Sequence, residues 1–159
     1  MSRFLRLEAS VLQTRMPHLM RKEVVAPPPE VNSPESELMV ACAAGWLQVV
    51  RRLIANGIDA NHVNEQGETP LTYAATWGHE AVVACLLAKG AKVDHPVELA
   101  WTPLMYAASR GNRRIVLALL INGADVLRHD RNGRTAADLA GNAGHLDCAS
   151  LIKTWGRPD

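Results

Sequence analysis

Between residues 70 and 121 the apolar positions come back in short clusters at helical spacing. Val82, Val83, Leu86 and Leu87, and then Ile115, Val116, Leu119 and Leu120, include i, i+3 and i+4 pairs that put an apolar stripe on one side of a helix. Ahead of each stripe stands a shorter alanine-rich run, Leu71 to Ala75 and Leu104 to Ala108, whose small side chains give a flat face for close helix packing. Thr69 and Thr102 are suited to cap these runs, and Pro70 and Pro103 occupy the first helical position, where a missing N–H does no harm. Gly78 and Gly111 end the first helices, and Gly90 and Gly123 end the second. The pattern predicts pairs of short helices separated by polar turns.

These pairs are copies of one another. Laying Asn64–Pro96 over Val97–His129 matches 14 of 33 positions, and the same shift aligns Thr69, Thr102 and Thr135, then Gly45, Gly78, Gly111 and Gly144. Four units follow, at about 33–63, 64–96, 97–129 and 130–156. One such pair is too thin to bury its own stripe, so the units must stack. The ends should then differ from the middle. The first unit carries charges where the repeat motif would be, and the last has Ala136 in place of the proline and a more polar second helix, so both read as caps, with Trp46 and Trp155 expected to seal them.

Residues 1–31 follow another rule. "SRFLRLEASVLQTRM" is amphipathic, Pro17 should end or kink any helix there, and "APPPEV" reads as a short stiff connector. The segment is expected to rest on the first unit or trail from it, with a partner-binding helix or an organelle-targeting segment as the other readings.

The 33-residue period, "TPLTYAATWG" at Thr69–Gly78, "TPLMYAASRG" at Thr102–Gly111, and "LLAKGA" and "LLINGA" after them resemble the ankyrin-repeat family. The resemblance implies an all-α, right-handed solenoid of stacked antiparallel helix pairs with β-hairpin or turn fingers over residues 32–159, acting as a non-enzymatic protein-binding scaffold. Two departures stand out. The histidine that commonly follows TPL in this family is Thr72, Met105 and Asp138 here, so its polar network must be replaced or lost. The Asx-x-x-Gly turn survives at Asn64–Gly67 and Asp130–Gly133 but becomes Val97–Ala100 in the third unit, in front of Trp101.

Partners of this family generally meet the finger tips and the open side of the first helices, a concave face. Carried over by position, that face comprises Glu65, Gln66, Glu68, Thr76 and Trp77; then Glu98, Leu99, Trp101, Ser109 and Arg110; then Arg131, Asn132, Arg134 and Asn142. Trp77, Leu99, Trp101 and Arg110 are expected at its centre, with carboxylates toward the second unit and arginines toward the fourth, the composition that interface hot spots favour. Trp101 has two readings. It either folds back over the seam left by the missing turn glycine or stands exposed beside Trp77.

Composition narrows the chemistry. Seventeen Lys and Arg nearly balance sixteen Asp and Glu, so no global charge points to nucleic acid; a binder of nucleic acid or an anionic surface through the arginines of the last two units is the alternative function. Cys42, Cys85 and Cys148 are far apart in helical contexts and are expected as inert thiols in a reducing, cytoplasmic setting, with the nucleus as the other compartment. Neither a metal cluster, a nucleotide loop, a cofactor site nor a catalytic constellation is expected, so the chain reads as no enzyme: His145, Asp147 and Cys148 do not have the spacing of a triad. A protein partner and a monomeric chain are expected.

Overall fold

A computed structural model describes residues 32–95 and 101–155 and shows eight helices among them. They form four pairs: α1 (Pro34–Ala44) with α2 (Leu47–Ala55), α3 (Pro70–Trp77) with α4 (Glu80–Ala88), α5 (Pro103–Ser109) with α6 (Arg113–Ile121), and α7 (Ala136–Asn142) with α8 (Leu146–Trp155). The first helices pack in sequence, α1 on α3, α3 on α5 and α5 on α7, and the second helices make a looser row alongside. The all-helical stack therefore matches the expectation. Among the described residues the fingers are turns and not hairpins, with one antiparallel bridge between His129 and Thr135.

Each first helix starts where the sequence says it should. Ser33, Thr69, Thr102 and Thr135 accept from the backbone N–H three residues on, at 3.1, 3.2, 3.2 and 3.3 Å. The position that lacks the family's histidine has been given to this cap. Thr72 lies 3.1 Å from the Thr69 hydroxyl, and Asp138 accepts from the Thr135 N–H and hydroxyl at 2.9 and 2.7 Å, closing reciprocal capping boxes. At the same place in α5, Met105 is buried and supplies packing alone.

The core runs unbroken from Leu38 to Ile152. Tyr73, Leu71, Leu86, Leu104, Ile115 and Leu119 are completely or almost completely buried, each worth roughly 1.5–3 kcal/mol of apolar transfer where aliphatic. Ala74, Ala75, Ala107 and Ala108 have no exposed surface, which is what allows the first-helix row to close up. Cys42 and Cys148 are buried and Cys85 half-buried, all three as free thiols, with burial pushing the Cys42 thiol well above its usual range. No helix among the described residues is long and apolar enough to cross a membrane.

Neighbouring units are fastened at two repeating points. At the first, the residue opening a second helix reaches back to the glycine that ends the preceding first helix: a methyl on Gly45 would meet the His79 ring at 2.5 Å, Gly78 faces the Asn112 amide, and Gly111 faces the His145 ring. His79 makes no cap bond to its own helix. Its Nε2 donates instead to the Ala43 carbonyl of the first unit at 2.8 Å, which fixes the ring tautomer and satisfies an orphan carbonyl of α1. At the second point, Asn61 accepts from the Lys92 N–H at 2.7 Å and donates to the Gly90 carbonyl at 3.2 Å, while Asp94, one period later, accepts from the Asp125 N–H at 2.7 Å. The next residue in this register is Leu127, 73% exposed, and there the fastening stops.

The ends differ from each other. At the last unit Asp138 and Asn142 face solvent, a polar outer surface as expected of a cap, but Trp155 is 46% exposed and does little sealing. Trp46 packs on the core. The amphipathic segment and connector at 1–31, and the altered turn at 96–100, lie outside the described residues.

The glycine contacts give a paired test. Gly45 and Gly57 both have positive φ, 76° and 91°, but only Gly45 has a neighbour within 4 Å. Gly57→Ala should cost about 1–2 kcal/mol from backbone conformation alone, and Gly45→Ala about 2–4 kcal/mol because the His79 ring must also move. Urea unfolding midpoints at constant m value measure the difference; equal losses would remove the steric part.

Candidate functional site

The finger turns are built by one side chain each. Asn64 accepts from the N–H groups of Gln66 and Glu68 at 3.0 and 2.8 Å, and the Gly67 N–H closes onto the Asn64 carbonyl at 3.0 Å. Asp130 repeats this with Asn132 and Arg134 at 2.9 and 3.0 Å and with Gly133 at 2.9 Å. This is the Asx turn read from the sequence. It lifts Glu65 and Gln66 of one finger, and Arg131 and Asn132 of the other, into solvent at the tips.

Residues 68, 101 and 134 share one register, and the structure joins them into a network across three units. Glu68 is 9% exposed; Asn64 Nδ2 approaches its carboxylate at 3.4 Å, and the hydroxyls of Tyr73 and Tyr106 bond to it. Burial raises its pKa against these bonds. Trp101 packs on Tyr106 with ring centroids 4.9 Å apart at 58°, and its indole N–H donates to Asp130 at 3.2 Å. Arg134 lies 6.0 Å over the Trp101 ring and also holds Asp130, from Nε at 2.9 Å and Nη2 at 2.6 Å. So Trp101, half-buried, is held by the finger that follows it. Neither reading of Trp101 describes this fully: it is neither fully buried nor exposed beside Trp77, and it rests against Tyr106, Asp130 and Arg134.

Trp77 belongs to the other end of the helix pair. It closes α3, whereas Trp101 precedes α5, and α3 and α5 pack in register; an eight-residue helix separates such positions by about 12 Å. The two tryptophans are therefore not one cluster. Trp77 is partly buried against the core, and its indole N–H is turned inward without an acceptor among the described residues. The exposed part of its ring is carbon. Arg110 takes the equivalent position one unit later and is half-buried. Thr76, expected on the open side, is buried and donates to the Thr72 carbonyl at 2.8 Å. Glu98 and Leu99 lie outside the described residues.

Charge is divided along the stack. Residues 32–95 hold seven acids (Glu35, Glu37, Asp59, Glu65, Glu68, Glu80, Asp94) against four bases, and residues 101–155 hold seven bases (Arg110, Arg113, Arg114, Arg128, Arg131, Arg134, Lys153) against four acids. The ion pairs Arg52–Glu37 at 3.1 Å and Arg114–Glu80 at 3.4 Å are exposed and worth little. No group of three or more metal-ligating side chains comes together among the described residues. The sequence reading missed the inward turn of Glu68 and the Trp101–Asp130 bond; the shared 33-residue register of Glu68, Trp101 and Arg134 was the available signal for both.

The network titrates. Burial of Asp130 acts to raise its pKa, but the Arg134 guanidinium and the N–H groups of Arg134 and Asn132 hold it at about 2, below the ordinary 3.8. The folded value is depressed, so the contribution of Asp130 to stability is complete above about pH 4 and fades as pH falls toward 2. Comparing unfolding of Asp130→Asn and the native chain, the stability gap should be constant from pH 7 to about 4 and shrink below it. A pH-independent gap would mean that the carboxylate charge is not what holds Trp101 and Arg134.

Two family models cover most of the chain: ankyrin repeats (many copies) over residues 38–87 and ankyrin repeats (3 copies) over residues 93–156. No curated protein matches it. With four stacked helix pairs, first helices capped by serine or threonine and repeat matches over residues 38–87 and 93–156, the chain belongs to the ankyrin-repeat family.

Proposed function

We propose that this chain is a non-enzymatic adaptor or inhibitor that binds a protein partner along its concave face, from the finger tips across the open side of its first helices to their far ends. Ankyrin repeats generally serve as protein–protein interaction modules, and the repeats matched over residues 38–87 and 93–156 support that role for this chain. The observation that carries the reading is Trp77: a half-exposed ring with its N–H turned away, offering carbon surface between an acidic half and a basic half of the stack. Binding hot spots favour such an aromatic anchor flanked by charge. Glu65 and Gln66 on one side and Arg110 and Arg131 on the other are the remaining contacts, and Glu98 and Leu99, outside the described residues, are assigned to them by repeat position alone. Glu68, Trp101 and Arg134 support it from beneath as a preorganised layer. The partner carries an apolar group for Trp77 and acidic residues for the last two units.

The free thiols fit a reducing cytoplasmic setting and a monomeric chain. Binding of nucleic acid or an anionic surface through the arginines competes with this reading, since residues 101–155 hold an excess of three positive charges. Affinity capture with the full chain, followed by titration of the captured protein, separates the two. Arg110→Glu with Arg131→Glu should weaken the complex more than tenfold, about 1.4 kcal/mol, and Trp77→Ala by a similar factor, each with an unchanged helical circular dichroism spectrum. Undiminished protein binding by these variants would reject the surface. Tight DNA or RNA binding with a steep salt dependence would favour the alternative.

A further inference from the structure

The outer face of α6 breaks the pattern of its row. Residues 51, 84, 117 and 150 share one repeat register, as do 55, 88, 121 and 154, and all eight side chains are exposed. In three units these positions hold Arg51, Ala84 and Ser150, and Ala55, Ala88 and Thr154, which are charged, small or polar. The third unit places Leu117 and Ile121 there, 39% and 66% exposed. Four residues apart on one helix, they are surface neighbours, with Cβ atoms roughly 6 Å apart. The core does not need them, because Ile115, Val116, Leu119 and Leu120 already fill the inner side of α6 at 2% exposure or less. A pair of adjacent branched apolar side chains left in water is a contact surface in search of a partner.

Charge indicates what kind of partner fits. The second helices α2, α4, α6 and α8 carry five bases against two acids, whereas the first helices carry three acids and no base, so the second-helix row is the basic side of the stack. On α6 the bases are Arg113 and Arg114, one turn before Leu117, with no acid in that first turn and no side-chain cap from Asn112. Two cations at the positive end of a helix destabilise it. Glu80 offsets Arg114 in part, at 3.4 Å, and Arg113 has no ion pair among the described residues. This basic strip is one helix wide: Glu80 on α4 and Asp147 on α8 hold the positions equivalent to Arg113 and Arg114, one helix spacing of roughly 8–10 Å to either side.

We propose that α6 is a second docking surface, which takes an acidic amphipathic helix of a partner protein laid along Arg113–Ile121. The partner's apolar side packs on Leu117 and Ile121, and its carboxylates, one turn away, meet Arg113 and Arg114 and relieve their repulsion. A helix about 10 Å in diameter matches a strip one helix wide, and α6 is only about 14 Å long, so about three turns of the partner cover it. An anionic bilayer fits worse. A plane resting on α6 would press Glu80 and Asp147 against its headgroups, and two side chains bury little area in it. The inference does not rest on the finger-tip reading, since Leu117 and Ile121 belong to the other row of helices; a chain with both surfaces joins two proteins.

Titration of the full-length chain into model ligands tests this. The probes are a fluorescent synthetic helix with Leu at i, i+3, i+4 and i+7 and Glu elsewhere, its counterpart with Lys in place of Glu, and vesicles of phosphatidylcholine with phosphatidylserine. The Leu–Glu helix should bind and the Leu–Lys helix should not. Leu117→Gln with Ile121→Gln, and separately Arg113→Glu with Arg114→Glu, should each weaken the Leu–Glu complex about tenfold or more, while Arg51→Glu, a charge reversal two units away, leaves it unchanged. The chain with Arg113→Glu and Arg114→Glu should in turn bind the Leu–Lys helix, a reversal that unfolding cannot imitate. No binding of the Leu–Glu helix, equal binding of the two peptides, or an unchanged affinity in either double variant would overturn the proposal. Attachment to the vesicles through Leu117 and Ile121 would overturn it too, in favour of a membrane surface.

Discussion

The close approach between successive first helices governs this molecule, because nothing in a single unit can stand without it. A first helix of seven or eight residues, such as α3, α5 or α7, is too short to persist alone in water. It survives because alanines at 74, 75, 107 and 108 remove the side-chain bulk between rows, and because the glycine at the end of each helix leaves room for the ring or amide that the next unit sends back. Where that residue is His79, the same contact also satisfies a carbonyl at the end of α1. Spacing, packing and backbone hydrogen bonding are thus set at one point.

Above this row the fingers are tied across units by side chains in one register. Glu68, Tyr106, Trp101, Asp130 and Arg134 form a continuous chain of contacts from the second unit to the fourth. Its two carboxylates respond oppositely to protons. Asp130, bonded by a guanidinium and two backbone N–H groups, favours its ionised form, while Glu68, buried among neutral hydroxyls and an amide, has its ionised form disfavoured. The third unit lost its own Asx turn to Val97–Ala100, and Trp101 bonds instead to the Asx residue of the next finger. One loss in sequence is offset by a contact that only stacking provides.

The division of charge has a similar origin. Acids dominate residues 32–95 and bases residues 101–155, while the whole chain has a net charge of +1, so the total conceals what the stack lays out in space. A linear array keeps sequence order as spatial order, and so a bias between the earlier and the later repeats becomes a bias between the ends of a surface. Only partners long enough to touch several fingers would sense it.

The sequence by itself determined the units, their number, the caps and the turns. Threonine before proline, glycine at fixed intervals and Asn64 or Asp130 three residues before a glycine act on their immediate neighbours, and local hydrogen bonds and backbone preferences are legible from local order. The candidate surface was legible only in part: Glu65, Gln66 and Arg131 stand at exposed turn tips as their positions imply, but Glu68 turns inward and Trp77 and Trp101 lie at opposite ends of their helices. Those outcomes were decided by tertiary structure. Which way a side chain at a turn points depends on what a neighbouring unit, 29 to 36 residues away, places beside it: Asp130 of the following unit for Trp101, the Ala43 carbonyl of the preceding one for His79. The energy of burial and of a hydrogen bond across units exists only once the stack has formed.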